Sequence, residues 1–159
     1  LNIVGTVIIE LTPSLTGLSA TAKGTATNVT YVAGINVNIF TGAAAQTSTL
    51  PEATVGVVVV DAQSVDTTGG TAILTFNCAG TDVWKKGSVI ESRDSSAVTF
   101  DLSTVGETNL VYTPAGAATN LFSIGSYIYF TCVEEGKWTI NYNFQHLGTG
   151  VTGAFAFAA

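Results

Sequence analysis

The chain has 159 residues, a formal net charge of −6 and 10% charged residues, whereas ordinary soluble proteins carry about 25%. Thr, Ala, Gly and Ser make up 72 of the residues, and 47% of the chain is apolar. This composition excludes a charged disordered linker and a helical bundle. Five Lys and Arg residues are too few for a phosphate-binding stripe, so we expect no nucleic acid partner and no binding to an anionic membrane.

Short runs rich in Val, Ile, Thr, Phe and Tyr alternate with Gly, Asn, Asp and Ser along the whole chain. This pattern is typical of an all-β domain. We predict a single β-sandwich or jelly-roll domain over 1–159, with about eight to ten antiparallel strands. The predicted strands are 3–10, 18–32 (which Gly24 could divide in two), 35–41, 55–62, 71–78, 87–92, 97–102, 108–113, 126–133, 137–144 and 151–157.

Three predicted strands show a clear alternation of apolar and polar residues: 71–78, 126–133 and 137–144. The last two are joined by a short charged linker that contains Gly136, which predicts a β-hairpin. Residues on the apolar faces of these strands are expected to form the core. The predicted core residues are Phe76, Cys78, Phe130, Cys132, Trp138 and Ile140.

Other segments lack this alternation. The continuous apolar run Val57–Val60 favours a strand that is buried on both faces. Three segments of small and polar residues predict loops: Thr41–Ser48, Asp66–Gly70 and Pro114–Asn120.

Candidate catalytic residues are few. His146 is the single histidine, and no Gly-x-Ser-x-Gly motif accompanies it, so we interpret it as a loop residue. Cys78 and Cys132 lack the spacing of zinc ligands, and the aspartates lack the spacing of a calcium loop. We therefore predict no catalytic residue, no metal and no cofactor. The cysteines are expected to be small buried side chains; the alternative is a disulfide between sheets, which would indicate an oxidising compartment.

Two charged segments have plain structural interpretations. Glu134 and Glu135 are expected to lie in a solvated turn. In the segment Trp84-Lys85-Lys86, we expect the Trp ring to pack over a loop while the lysines remain in solvent. The alternative is that the aromatic ring stacks on a ligand such as a sugar.

The two ends of the chain resemble arms for contacts between proteins. Leu1–Glu10 is apolar on both strand faces, and Val151–Ala159 carries two Phe residues among small ones. Ordinary core strands at the termini are the alternative. The chain contains no Met, which suggests a processed start. The candidate contact residues are Ile3, Val4, Val7, Ile9, Phe155 and Phe157.

Two further segments carry a family resemblance. The sequence Leu50-Pro51-Glu52-Ala53-Thr54-Val55-Gly56, followed by four valines, resembles a strand opener of tailed-bacteriophage virion modules. The later segments 125–130 (GSYIYF) and 136–140 (GKWTI) resemble the Tyr-rich strand, Gly turn and Trp strand of the same modules. The resemblance covers roughly residues 50–144.

The resemblance implies a non-enzymatic virion structural protein, most like a capsid decoration (cement) protein. Such a protein would assemble in the host cytoplasm as a homotrimer and bind the major capsid protein on the outer surface of the phage head. It would stabilise the shell through many small contacts that act together.

Other functions remain open at this point. A head- or tail-fibre module would bind host glycans through an aromatic pocket containing Trp84, Tyr127 or Tyr129. A pilin or adhesin subunit would explain the composition and a Cys78–Cys132 disulfide. A glycan-cleaving enzyme would need paired acids across a cleft, and no such pair can be named. A TNF-like trimeric ligand is supported only by the general β pattern.

Overall fold

The computed structural model describes residues 21–22, 27–67, 71–93, 98–114, 121–145 and 153–159. These ranges contain thirteen β-strands and no helix, which confirms the predicted all-β class. The strands are β1 (Thr21–Ala22), β2 (Asn28–Thr30), β3 (Gly34–Asn38), β4 (Gln46–Thr49), β5 (Val58–Gln63), β6 (Leu74–Asn77), β7 (Val83–Trp84), β8 (Val89–Arg93), β9 (Val98–Leu102), β10 (Asn109–Thr113), β11 (Tyr127–Glu134), β12 (Lys137–Asn143) and β13 (Ala154–Ala158).

Two sheets pack against each other. One has six strands in the order β1-β3-β5-β11-β12-β7, and the other has five in the order β13-β10-β6-β4-β2. Strands β8 and β9 form a separate two-stranded ribbon. The ring of Phe76 on β6 lies 5.2 Å from that of Phe130 on β11, so the two large sheets share one core. This arrangement confirms the predicted β-sandwich.

The first six strands alternate between the two sheets. Consequently β1, β3 and β5 are parallel neighbours in one sheet, and β2, β4 and β6 are parallel neighbours in the other. Such a chain winds like a short β-solenoid. The prediction of antiparallel strands throughout is wrong, since five of the ten pairings among the described strands are parallel. A jelly roll, which is built from antiparallel strands, is not confirmed.

The segment Leu50–Gly56, which carries the family resemblance, is the crossover from β4 in one sheet to β5 in the other. Leu50 and Ala53 are buried along it. The Ala53 amide donates to Asp82 Oδ2 at 2.7 Å, which anchors the crossover to a neighbouring turn. Gly56 has a φ of 91°, a conformation that strains any residue with a Cβ. Its amide donates to the Cys132 carbonyl at 2.9 Å.

Two predictions within the parallel region are wrong. The predicted loop Thr41–Ser48 contains the start of β4, whose polar residues Gln46 and Ser48 point into the sandwich. The valine run is not buried on both faces, because Val58 is exposed while Val59 is buried. On the outer face of the six-stranded sheet, Tyr129 and Val133 are exposed as well.

The predicted hairpin is present as β11 and β12, joined by a turn at Glu135 and Gly136. The structure places five of the six predicted core residues in the buried core, and it packs half-buried Ile140 against them.

The C-terminal phenylalanines belong to the same core rather than to a surface. Phe155 and Phe157 lie on the inner face of β13, which pairs with β10. The Phe155 ring lies 4.7 Å from that of Tyr112, and the Phe157 ring lies 5.5 Å from that of Trp84. Neither ring is therefore available for the predicted contact with another subunit.

Several predictions fall outside the described residues. These are the N-terminal arm 1–10 with Ile3, Val4, Val7 and Ile9, residue His146, and most of the predicted loop 114–120.

Candidate interaction surfaces

The described residues contain no group of three or more His, Cys, Asp or Glu side chains that could hold a metal ion. Cys78 and Cys132 are both free and buried, as small apolar residues would be. Burial, with the nearby Asp82 carboxylate, raises the pKa of the Cys78 thiol to about 12. This thiol stays protonated at neutral pH and is a poor nucleophile.

Asp61 is the most unusual titratable group. It is fully buried on the inner face of β5, where its Oδ2 accepts hydrogen bonds from the Tyr31 hydroxyl and from Asn38 Nδ2, the latter at 3.0 Å. Burial raises the pKa of Asp61 to about 7, although these two hydrogen bonds act in the opposite direction. Burial and the Asp61 carboxylate also hold the pKa of Tyr31 well above its usual range.

Polar side chains surround this carboxyl within the sandwich. Asn36 and Asn38 on β3 are opposite Asp61 and Gln63 on β5, and all four are buried. Asn36 bonds back to the turn before β3, and Gln63 Nε2 donates to the Phe40 carbonyl. The hydrogen bonds of this cluster therefore hold the segments that connect the two sheets in place. It lies inside the protein and offers no surface to a macromolecular partner.

The Trp84 segment is structural, but the Trp ring packs in the core from strand β7 rather than over a loop. Trp84 is buried, with its ring 5.8 Å from that of Phe130, so it cannot stack on an external sugar. Lys85 forms an ion pair with Glu134, which also pairs with Lys137. Hydrogen bonds from Lys137 and Lys85 lower the pKa of Glu134 to about 2. Glu134 is therefore an ionised member of a surface ion cluster rather than a general acid.

The β8–β9 ribbon carries three exposed apolar side chains on one face. Val89 is paired with Leu102, and Phe100 lies two residues before Leu102, so alternation places all three on one face. Phe100 is 64% exposed and Leu102 is 54% exposed. We call Val89, Phe100 and Leu102 the ribbon patch.

The opposite face of the ribbon is fixed to the sandwich. Ile90 is fully buried, and Asp101 Oδ2 accepts a hydrogen bond from the Phe157 amide of β13. At the base, Ser103 Oγ donates to the Lys85 carbonyl at 2.7 Å and accepts from the Ser88 amide at 2.9 Å. The ribbon patch is therefore held outward by a well-anchored support.

A second surface lies on the outer face of the six-stranded sheet. Tyr127 and Tyr129 on β11 are directly opposite Asn143 and Asn141 on β12. The two tyrosine rings have centroids 5.1 Å apart and planes 80° apart. We call these four residues the tyrosine site.

The sequence pointed to Tyr127 and Tyr129 as candidate ligand residues but not to the ribbon patch. The available signal was that 87–92 is apolar on both faces at Val89 and Ile90, while 97–102 places Phe100 and Leu102 on one face. A two-stranded ribbon that buries only one of its faces leaves the apolar side chains of the other face exposed.

Comparison of the chain with protein-family models, with curated proteins and with solved structures finds no match. The described part of the chain contains no helix of the length and apolarity that crossing a membrane requires.

Proposed function

We propose that this protein is a non-enzymatic virion structural protein, a capsid decoration protein that forms homotrimers and binds the major capsid protein on the outer surface of a phage head. It would assemble in the host cytoplasm. The observation that carries the proposal is the ribbon patch, which presents three large apolar side chains on an anchored support.

The exposed apolar area of the ribbon patch is the source of its binding energy. Burying a fully exposed large apolar side chain is worth about 1.5–3 kcal/mol. Val89, Phe100 and Leu102 are already partly buried, so a partner that covers them gains a fraction of this value for each residue. The chain as a whole carries few charges, and uncharged surface costs less to remove from water than ionised groups. One charged side chain, Glu91, is directly opposite Phe100 on the patch face. Exposed apolar area and few charges are typical of the centre of a lasting protein interface.

Attachment to a shell would follow from repetition. A single patch of this size supports only a modest affinity after the cost of association is subtracted. Trimer formation would place three copies of any shell-binding surface on one particle, and the second and third contacts then form at a high effective concentration. The resemblance of residues 50–144 to virion modules supports this arrangement.

The first experiment measures native mass by light scattering. We expect a trimer for the unmodified chain and a shift to monomer for the double variant Phe100→Ser, Leu102→Ser. The matched control is Ile124→Ser, because Ile124 is 56% exposed and belongs to the segment before β11 rather than to the ribbon. A trimer that survives in the double variant, or a monomeric unmodified chain, would contradict the role of the patch in self-association.

The second experiment measures attachment. Empty heads that lack the protein, taken from the phage that encodes it, are mixed with each variant and sedimented. We expect the unmodified chain and Ile124→Ser to sediment with the heads and the double variant to remain in solution. If the unmodified chain stays in the supernatant, the decoration function is wrong.

A further inference from the structure

We propose that the tyrosine site binds a neutral carbohydrate, at the level of one sugar ring. This function is separate from self-association, because the site lies on β11 and β12 of the six-stranded sheet while the ribbon patch lies on β8 and β9. The site combines one exposed and one half-buried tyrosine ring, amides beside them, and a sheet face with few charges.

The rings supply the apolar contact. Tyr129 is 39% exposed in the middle of a strand whose inward neighbours Ile128 and Phe130 are fully buried. Sugar rings have a face of C–H groups that carry partial positive charge, and the face of an aromatic ring is its negative region. Because the Tyr127 and Tyr129 planes are 80° apart, they form a corner. A corner accepts one sugar ring against one tyrosine, with the other as a wall, and does not suit a flat polysaccharide surface.

The amides supply the polar contacts. Asn141 and Asn143 are exposed and directly opposite the two tyrosines, and opposed side chains in an antiparallel pair lie about 5 Å apart at Cβ. Gln145 Nε2 donates to Asn143 Oδ1 at 3.1 Å, which orients this amide and leaves its Nδ2 as a donor. Side-chain amides both donate and accept, which matches the hydroxyl groups around a sugar ring.

The charge distribution favours neutral sugars. The outward-facing residues of β3, β5, β11 and β12 are uncharged except for Glu134 and Lys137 at the hairpin end, by the register and alternation of these strands. Glu134 is five residues from Tyr129, which corresponds to roughly 16 Å along a strand. An acidic sugar would lose hydration here without gaining a cationic partner.

The test uses an array of neutral oligosaccharides built from glucose, galactose, mannose, rhamnose or N-acetylglucosamine, together with uronic acid chains of the same length. Binders are then titrated by calorimetry with the full chain. We expect at least one neutral oligosaccharide to bind and the uronic acid chains to bind more weakly. The proposal is overturned if no neutral oligosaccharide binds, or if uronic acid chains bind best.

Variants locate the site. Tyr129→Ala is expected to weaken binding about tenfold, because it removes the stacking face, while Tyr129→Phe retains most of the affinity. Asn141→Ala is expected to weaken binding a few-fold through lost hydrogen bonds. The matched control is Val133→Ser, an exposed position on the same strand beyond the site. Equal affinity in Tyr129→Ala and the unmodified chain would reject the site even if a glycan binds elsewhere.

The experiments can reject either the decoration function or the carbohydrate site without rejecting the other. Tyr129→Ala is expected to keep the native mass and the head binding of the unmodified chain, whereas Phe100→Ser, Leu102→Ser is expected to keep glycan binding. Because Tyr129 and Asn141 are both exposed, we expect these variants to fold, and thermal unfolding checks this directly.

Discussion

The parallel half of the sandwich (β1–β6) and the second half (β7–β13) fill their interiors differently. The second half buries aromatic rings such as Trp84, Trp138 and Phe155. The parallel half places Asn38, Asp61 and other polar residues inside, while Val58 and Val60 lie on the outer face of the same sheet. One half is therefore stabilised mainly by apolar burial, and the other depends more on interior hydrogen bonds.

This difference has an energetic consequence. Removing a ring from an apolar core costs transfer free energy and leaves a cavity. The polar interior is sensitive in another way, because Asn38 Oδ1, Asp61 Oδ1 and Gln63 Oε1 have no hydrogen-bond partner among the described residues. Buried polar atoms without a partner reduce stability, and among these three side chains only Asp61 also responds to protonation.

The largest expected effect is in the aromatic half. Trp138→Ala should lower the free energy of unfolding by about 3–5 kcal/mol, because the ring is fully buried near the start of β12. Chemical denaturation measures this change, with Val133→Ala as an exposed control on the paired strand. If Trp138→Ala is as stable as the control, aromatic burial does not distinguish this half.

The next effect is the pH dependence that arises from Asp61 in the parallel half. Its pKa is raised from 3.8 to about 7 in the folded chain, so the folded state binds the proton more tightly than the unfolded state. This contribution is fully present below pH 3.8 and is lost as the pH rises to about 7. Unfolding free energy should therefore fall over this window by roughly 1 kcal/mol per pH unit.

The matching variant is Asp61→Asn, which cannot ionise and keeps an oxygen for the bonds from Tyr31 and Asn38. We expect its stability to be nearly independent of pH across the window and to exceed that of the unmodified chain at pH 8. The control Glu52→Gln changes an exposed carboxylate and should keep the slope. Denaturation at several pH values measures both, and an unchanged slope in Asp61→Asn would show that Asp61 ionises normally.

The smallest of the three effects concerns the crossover of the parallel half. Gly56→Ala should cost about 1–2 kcal/mol, because φ at this residue is 91°. No atom lies within 4 Å of an added Cβ, so backbone strain alone accounts for the expected loss of stability. Thr54→Ala, in the same exposed segment, is the control for denaturation. Equal stability of the two variants would mean that the crossover does not require this conformation.

The two halves also differ in how well the sequence predicts them. The alternation in 126–144 predicted the hairpin, its faces and its turn, because inward residues there are apolar and outward ones mostly polar. Strand β4 (QTST) has no apolar residue, so hydrophobic periodicity gives no signal although Gln46 and Ser48 point inward. Parallel pairing between distant segments is likewise not encoded in any local pattern.

Prediction of the tyrosine site and the ribbon patch from the sequence is limited in the same way. The sequence named Tyr127 and Tyr129, because alternation assigns them to the outer face of β11, but their pairing with Asn143 and Asn141 depends on register. The ribbon patch could not be chosen from other apolar strand residues, since only the packing of Ile90 and Asp101 on β13 decides which face remains outside. Phe155 and Phe157 are the opposite case: the sequence suggested a contact surface, but the structure places both residues in the core.

The connection of the two halves bears on how the chain folds during synthesis. Strand β5 is hydrogen-bonded to β11, and β6 to β10. The middle strands of both sheets can therefore complete their hydrogen bonding only after these later segments have been synthesised. Phe155 enters its place beside Tyr112 only after β13 has left the ribosome. Pairings between distant segments slow folding. We expect the sandwich to close after translation of residues 154–158, with the aromatic interior open to solvent, and in need of protection from aggregation, until then.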